Sequence, residues 1–383
     1  MRILAATTAG AGHFGPMIPV ARACAAAGHD VLVAAPASFA GAVAAAGFEH
    51  APFDDVPTDV MDAVFGGLAQ VSREEANAIV IGEVFGRLDA RAALPGVSAT
   101  IGSWRPDVIV RDPCEFASWV VAERSGIPQA EVAIGTTAFA EFTHPLLETP
   151  LNELRELAGL EPDPGLLHLR AVPSLSCVPR TFDGSVDRDD PTFRFRDPAN
   201  RATEARLPGT WGNPDEPLVY VSFGSVAGSL APFAWVYPAV RDVLAGLPYR
   251  VLLTTGRGVD PNDLGPWPAN IRAEQWWPQA DVMPLASALI GHGGFGTTMI
   301  GLAAGLPQVV TPLVSADQFF NAERVAETGV GRSVDGDLGN IPDALGDVLT
   351  EPSYRAAAER IAGEIQQLPD VAEAPAYLRT VAT

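Results

Sequence analysis

The sequence predicts an α/β protein with two doubly wound, Rossmann-like parallel-sheet domains, and three observations carry that prediction. Short apolar runs rich in β-branched residues alternate with helical patterns along the whole chain. Those runs fall into two sets separated by a stretch without period. The length of 383 residues also exceeds what one core usually serves, so two cores are expected.

In the first half the strand candidates are RILAATT, DVLVAAP, DVIVRD, QAEVAIG and SLSCVP. In the second half they are LVYVSFGS, RVLLTTG, IRAEQWW, SALIGHGG and PQVVTP. Between them, residues 180–217 crowd Pro, Gly, Asp and Arg so densely that neither a period of 2 nor one of 3.6 survives, which reads as a linker. The expected domains are 1–205 and 206–365, with 366–383 as a terminal helix returning to the first. The last 32 residues read as two helices split near Pro369. In open α/β sheets ligands collect at the carboxyl ends of the strands, so the site is expected between the domains. The stretches 55–100 and 136–170 are less regular. Their Phe65, Phe85, Phe139 and Phe142 suit an apolar acceptor pocket, and they equally suit amphipathic helices packing on their own domain.

Composition narrows the function. Hydrophobic residues make up 48% and charged ones 19%, which excludes a disordered chain, and no apolar run approaches the ~20 residues of a membrane span. The start lacks the apolar segment of a signal peptide, so a cytoplasmic location is expected. Cys24, Cys114 and Cys177 are odd in number, far apart and set among apolar neighbours, as reduced core residues would be; no chemistry is assigned to them. The net charge is -21, and every basic residue is an arginine. Such a surface repels nucleic acid and anionic membranes, which favours a small-molecule partner. An anionic ligand must then be held locally, by helix ends and a few donors.

The first glycine loop, TTAGAGHFGPM, satisfies G-x-G-x-x-G at Gly10, Gly12 and Gly15. A dinucleotide fingerprint also needs an acidic residue at the end of the second strand, but DVLVAAP ends in Ala35 and Pro36, and Asp30 lies at its wrong end. The glycines then serve a tight strand-to-helix turn. His13 is expected just before a helix running from near Pro16 to near Gly28, whose positive end keeps the imidazole neutral and able to accept a proton. Asp112, just past another parallel strand in VIVRDPCEF, is placed to bind the second ring nitrogen. Each residue can also be read as merely capping its own loop or helix.

The second glycine loop, SALIGHGGFGTTMIG, runs a strand into His292, Gly293, Gly294, Phe295, Gly296 and Thr297, followed by a helix. Small residues allow close approach of a ligand, and free N–H groups at the helix start can bind a diphosphate without lysine. His292 and Thr297 add side-chain donors. Upstream, Trp276 in EQWWPQADVMP suits stacking on a nucleobase, and Gln279 lies in the same segment. Downstream, Asp317 and Gln318 offer a carboxylate and an amide for sugar hydroxyls, although Asp317 also suits a helix cap. Ser225, in VYVSFGSVAG, sits where its hydroxyl reaches a diphosphate.

These pieces, in this order, resemble the family-one nucleotide-sugar glycosyltransferases of GT-B fold, specifically the actinomycete natural-product enzymes. The resemblance covers nearly the whole chain: GAGHFGPMIPVARA and RDPCEFASWVVAERSGIP in the first half, then VSFGS, WWPQADVMP, GHGGFGTT and GLPQVVTPLVSADQFFNA in the second. It implies an acceptor-binding first domain and a donor-binding second. It implies His13 as general base with Asp112 as its partner, Trp276 stacking on the base, and Ser225, His292, Gly294 and Thr297 on the diphosphate, with Gln279, Gly293 and Gly296 completing the donor site. Asp317 and Gln318 are implied as sugar contacts. Where the plant branch places a ribose-binding Glu, this chain has Ile300. A deoxyribose has no 2'-hydroxyl, so the departure leans toward a dTDP-sugar over a UDP-sugar.

The expected reaction is single displacement with inversion on a small hydrophobic aglycone, with no cofactor and no metal required. The D-x-D match at Asp187–Asp189 lies beside Pro191 and reads as a solvated loop. Neither nucleic acid nor a membrane is an expected partner, and the protein is expected to be a monomer or homodimer. The alternatives are an NAD-dependent oxidoreductase using the Gly10–Gly15 loop, a non-catalytic GT-B partner protein, and a GT-B sugar epimerase.

Overall fold

The computed structural model describes residues 1–184, 191–198, 204–224, 233–256 and 258–383. The chain divides into two compact units, one dominated by Met1–Cys177 with Pro369–Thr383, the other by Pro198–Leu368.

The first unit holds a seven-stranded parallel sheet. Its strands are β1 (Arg2–Ala6), β2 (Asp30–Pro36), β3 (Glu49–Phe53), β4 (Val108–Arg111), β5 (Gln129–Val132), β6 (Ser174–Ser176) and β7 (Phe193–Arg194), in the order β3-β2-β1-β4-β5-β6-β7. Chain order reverses between β1 and β4, the switch point where open α/β sheets leave a crevice. Past the strands, the Thr7 amide donates to Ala34 O (3.0 Å) and the Asp112 amide to Ala6 O (2.9 Å). Pairing therefore continues one residue beyond the strands and sets the β1 and β4 loops side by side.

The second unit repeats the plan with β8 (Leu218–Ser222), β9 (Arg250–Thr254), β10 (Ile271–Glu274), β11 (Ala288–Gly291), β12 (Gln308–Val310) and β13 (Gly331–Ser333). The order is β10-β9-β8-β11-β12-β13, again reversing between its first and fourth strands. Both faces are covered, and the alternation shows it. Val219, Val221, Val251, Leu253 and Ile290 enter one buried cluster, while Leu218, Tyr220, Leu252 and Leu289 enter another. In the first unit Leu4, Ile109, Phe116, Trp119 and Val120 anchor the core, with Trp119 fully buried.

Three strands were not legible in the sequence. The segments of β3 and β13 are short and carry few apolar residues, and β7 has two residues, too few for any period. β7 lies inside the stretch read as linker, where Phe195 is buried and its amide donates to Ser176 O (2.9 Å). The helices at the carboxyl end are Pro352–Gln367 and Ala374–Val381, and the latter packs against the helix Ala11–Ala26. Among the described residues no helix is long and apolar enough to cross a membrane.

Candidate active site

In the first unit the β1 loop turns at Gly10, whose φ of 140° is a backbone state that side chains rarely adopt, and a Cβ there would lie 3.2 Å from the His13 ring. The next helix is Ala11–Ala26, so His13 lies within its first turn rather than ahead of it, and Pro16 and Pro19 are interior. The expectation of a start near Pro16 fails because Gly12 and Gly15 occupy i−4 of the two prolines, where ring and carbonyl would clash, and a glycine backbone tilts away most easily. A Cβ on Gly12 or Gly15 would meet nothing within 4 Å. No packing contact within the protein therefore requires glycine at either position.

His13 Nδ1 is 3.2 Å from Asp112 Oδ1. Asp112 is fully buried and saturated: the Cys114 amide donates to Oδ1 (2.7 Å), and the Thr8 amide to Oδ2 (2.7 Å). Burial by itself would raise the Asp112 pKa, yet the charge and hydrogen bond of His13, with the Thr8 and Cys114 amides, hold it below the usual carboxylate value. Burial likewise pushes His13 down, but the Asp112 charge and hydrogen bond, aided by Cys114, outweigh it and set its pKa well above 6.5. The expectation of a neutral imidazole is thus corrected. A carboxylate at hydrogen-bonding distance overrides the half-charge of a helix start, so the resting pair is imidazolium and carboxylate.

Arg111, also fully buried, fixes the loop from beneath: it donates to Asp112 O (3.1 Å) and to Glu131 Oε2 (2.8 Å). Phe85 packs on the imidazole at 5.2 Å between ring centroids. It sits on a wide, π-type helix, Ile79–Asp89, which ends in a carboxyl pushed up to about 6 by burial, with His13 lowering it and Asp112 and Asp55 raising it. Of the four aromatic candidates, Phe85 packs against His13. Phe65 is exposed, and Phe139 and Phe142 lie near the start of the helix Thr137–Leu157. Cys24 and Cys177 are buried as expected, whereas Cys114 is half-buried and its thiol adjoins His13 and Asp112.

In the second unit β11 ends at Gly291, opposite Ser222 at the end of β8, and delivers His292. Gly293 has φ 83°, and a Cβ there would lie 2.5 Å from Gln318 O, so only glycine turns this corner. Gly294 starts the helix Phe295–Ala303, and no side chain caps it. The first intrahelical bond is from the Thr298 amide to Gly294 O (3.0 Å), which leaves the amides of Phe295, exposed Gly296 and Thr297 as donors for an anion.

Burial pushes His292 down to about 4, so the ring is neutral, and its Nδ1 is buried without a hydrogen-bond partner. A Cβ on Gly224, in the β8 loop, would meet this ring at 2.9 Å. Gln279 Nε2 joins Ser222 Oγ (3.2 Å) to Thr297 Oγ1 (3.3 Å), and Asn321 Nδ2 secures Gly293 O (2.7 Å).

The outer candidates divide. Trp276 is 54% exposed, whereas its neighbour Trp277 is tied down by its indole N–H to Arg206 O (3.2 Å). Gln318 is buried and its amide oxygen accepts from the Leu313 (2.9 Å) and Val314 (3.0 Å) amides, so only its NH2 remains for a ligand. Asp317 accepts from the Ser315 hydroxyl in the first turn of Ala316–Glu327, and Ser315 occupies the cap position. Ile300 is buried in the core. Ser225 and Asp187–Asp189 lie outside the described residues. Thr8, Arg111, Ser222, Gln279's bridging role and Asn321 were not legible, because partners 18 to 104 positions apart meet only once strand order is known.

Comparison with known proteins supplies the class. The family model for the erythromycin biosynthesis protein CIII-like N-terminal domain matches residues 22–164, and that for the C-terminal domain matches residues 242–380. Elloramycin glycosyltransferase ElmGT of Streptomyces olivaceus is 33% identical over 99% of this chain and 97% of its own length. TDP-daunosamine transferase DnrS of Streptomyces peucetius is 25% identical, over 96% and 94%. The crystal structure of the glycosyltransferase SnogD from Streptomyces nogalater superposes with a TM-score of 0.76 at 26% identity, covering 100% of this chain and 99% of that one. The chain therefore belongs to the erythromycin biosynthesis protein CIII-like family, and is a nucleotide-sugar glycosyltransferase of GT-B fold acting on natural-product acceptors.

Proposed function

We propose that the protein moves a deoxysugar from a dTDP-sugar to a hydroxyl of a small hydrophobic acceptor, with inversion and with His13 as general base. The observation that carries this reading is the His13–Asp112 pair: Nδ1 faces a saturated carboxylate, and in the neutral form of the ring, reached at higher pH, Nε2 is left to take the acceptor proton. The acceptor oxygen then attacks the anomeric carbon as the bond to the diphosphate breaks on the opposite face, and the proton resides on Nε2 beside the Asp112 charge. The second unit supplies the grip on the leaving group through the Phe295–Thr297 amides, with His292 and Thr297, stabilising negative charge by oriented dipoles. Trp276 provides a face for the base, and Asp317 and the Gln318 amide provide donors and acceptors for the sugar.

One feature favours dTDP: the relative DnrS carries TDP-daunosamine in its name, while Ile300 is core and does not bear on the choice. The test is His13→Ala, assayed for transfer and, separately, for dTDP affinity by calorimetry. Transfer is expected to fall by roughly 10²- to 10⁴-fold with dTDP affinity unchanged. Survival of O-transfer in the variant would refute the assignment, and an axial or equatorial coupling in the product reports inversion directly.

A further inference from the structure

We propose that His13, Asp112 and Cys114 form a three-ligand site for a soft divalent cation, zinc above all, and that occupancy of this site switches the base off. One nitrogen, one carboxylate oxygen and one sulfur from these side chains lie within 4.8 Å of one another, with Nδ1 and Oδ1 already 3.2 Å apart. Tetrahedral zinc bound to such a set separates its ligand atoms by roughly 3.4–3.7 Å. No pair therefore has to close by more than about an ångström. Among the described residues no other group of His, Cys, Asp and Glu converges in this way.

The supports of the site are already built. Asp112 Oδ2 keeps the Thr8 amide as a second layer while Oδ1 faces the cluster, and the helix start at Gly10 and the turn Asp112–Cys114 hold the ligands on two adjacent strand ends. His13 is 19% exposed and Cys114 is half-buried, so the cluster is partly open to solvent. The thiolate selects zinc, cobalt(II) or copper over magnesium or calcium. On binding, the thiol proton and the imidazolium proton leave to solvent. An ion on Nδ1 fixes the hydrogen on Nε2, which then cannot accept a proton; an ion on Nε2 occupies the accepting atom itself. Cys114 acts here only as a ligand, and the transfer reaction does not need it.

The binding half of this proposal stands on ligand geometry alone, while the inhibition half rests on His13 as the base. The experiment uses the full chain, stripped with a chelator. Cobalt(II) is added to read the thiolate-to-cobalt charge-transfer band, and zinc and magnesium are titrated into the transfer assay. The expected results are a band displaced by zinc, reversible inhibition by zinc and none by magnesium. Cys114→Ala is expected to lose the band and to need at least about tenfold more zinc, measured against its own metal-free rate. Absence of the band in the unaltered protein overturns the site whatever the activity does. Zinc inhibition undiminished in Cys114→Ala overturns it as well. A normal band with unimpaired transfer keeps the site but overturns the switch, and counts against His13 as base.

Discussion

At the scale of single residues, the decisive balance is between a helix start and a carboxylate. The helix favours a neutral His13, and Asp112 at 3.2 Å favours the cation; the carboxylate's charge and hydrogen bond raise the ring's pKa, so the anion wins. A base whose conjugate acid is stabilised is stronger but is free only at higher pH. In chelator-containing buffer, kcat/KM should therefore rise with pH through an apparent pKa above 6.5. Asp112, Asp89 and Cys114 share this field, so the value belongs to the cluster. Asp112→Asn should lower both that pKa and the rate, by roughly 10²- to 10⁴-fold. A profile unmoved by the substitution would detach Asp112 from the base.

His292 runs the other way. Its folded pKa of about 4 lies below the unfolded value of about 6.5, so the unfolded chain binds the extra proton first. Stability contributed by this group is complete above about pH 6.5 and is lost as pH falls toward 4. Compared by denaturant melts across that window, the wild-type protein should lose more stability than His292→Asn. Parallel curves for the two would show that the ring is not held neutral.

At the scale of elements, the helix Phe295–Ala303 leaves the amides of its first turn without intrahelical partners and packs with the rest. Its exposed start carries Gly296, while Met299, Ile300 and Leu302 are buried. Ile300→Glu should therefore not confer a preference for UDP-sugars. It should instead cost about 3 kcal/mol or more, because a carboxylate would enter the core among Leu218, Tyr220 and Leu289 without a partner. A well-folded variant with UDP preference would place this face toward the nucleotide.

The elements also show what a sequence can disclose. Runs such as DVLVAAP and LVYVSFGS are long enough to carry a pattern, and both glycine loops were found because they follow such runs. The start of the first helix was misread because two prolines normally mark a boundary, and the glycines that relieve them looked like a phosphate motif. The pairing of His13 with Asp112 was readable from their places after parallel strands. The Thr8 amide, the Arg111 guanidinium and the Gln279 bridge were not, since each depends on which strands are neighbours. Cys114 was hidden by composition, for a thiol among apolar letters reads as core until its partner loop is known.

At the scale of the molecule, one device serves twice. Each sheet reverses strand order beside its first strand, and each reversal presents a histidine: His13 after β1 facing the β4 loop, and His292 after β11 beside the β8 loop. The two rings differ in charge because one faces a buried carboxylate and the other only main chain and glycine. With a net charge of -21 and no lysine, the chain has no lysine-built patch for a diphosphate, and under the proposed function helix-start amides take that grip instead. The most direct test of this division is a crystal structure with dTDP bound. The diphosphate is expected on the amides of Phe295, Gly296 and Thr297 beside His292, with His13 and Asp112 untouched. A diphosphate lodged at Gly10–Gly15, with the later loop unoccupied, would contradict the account at its root.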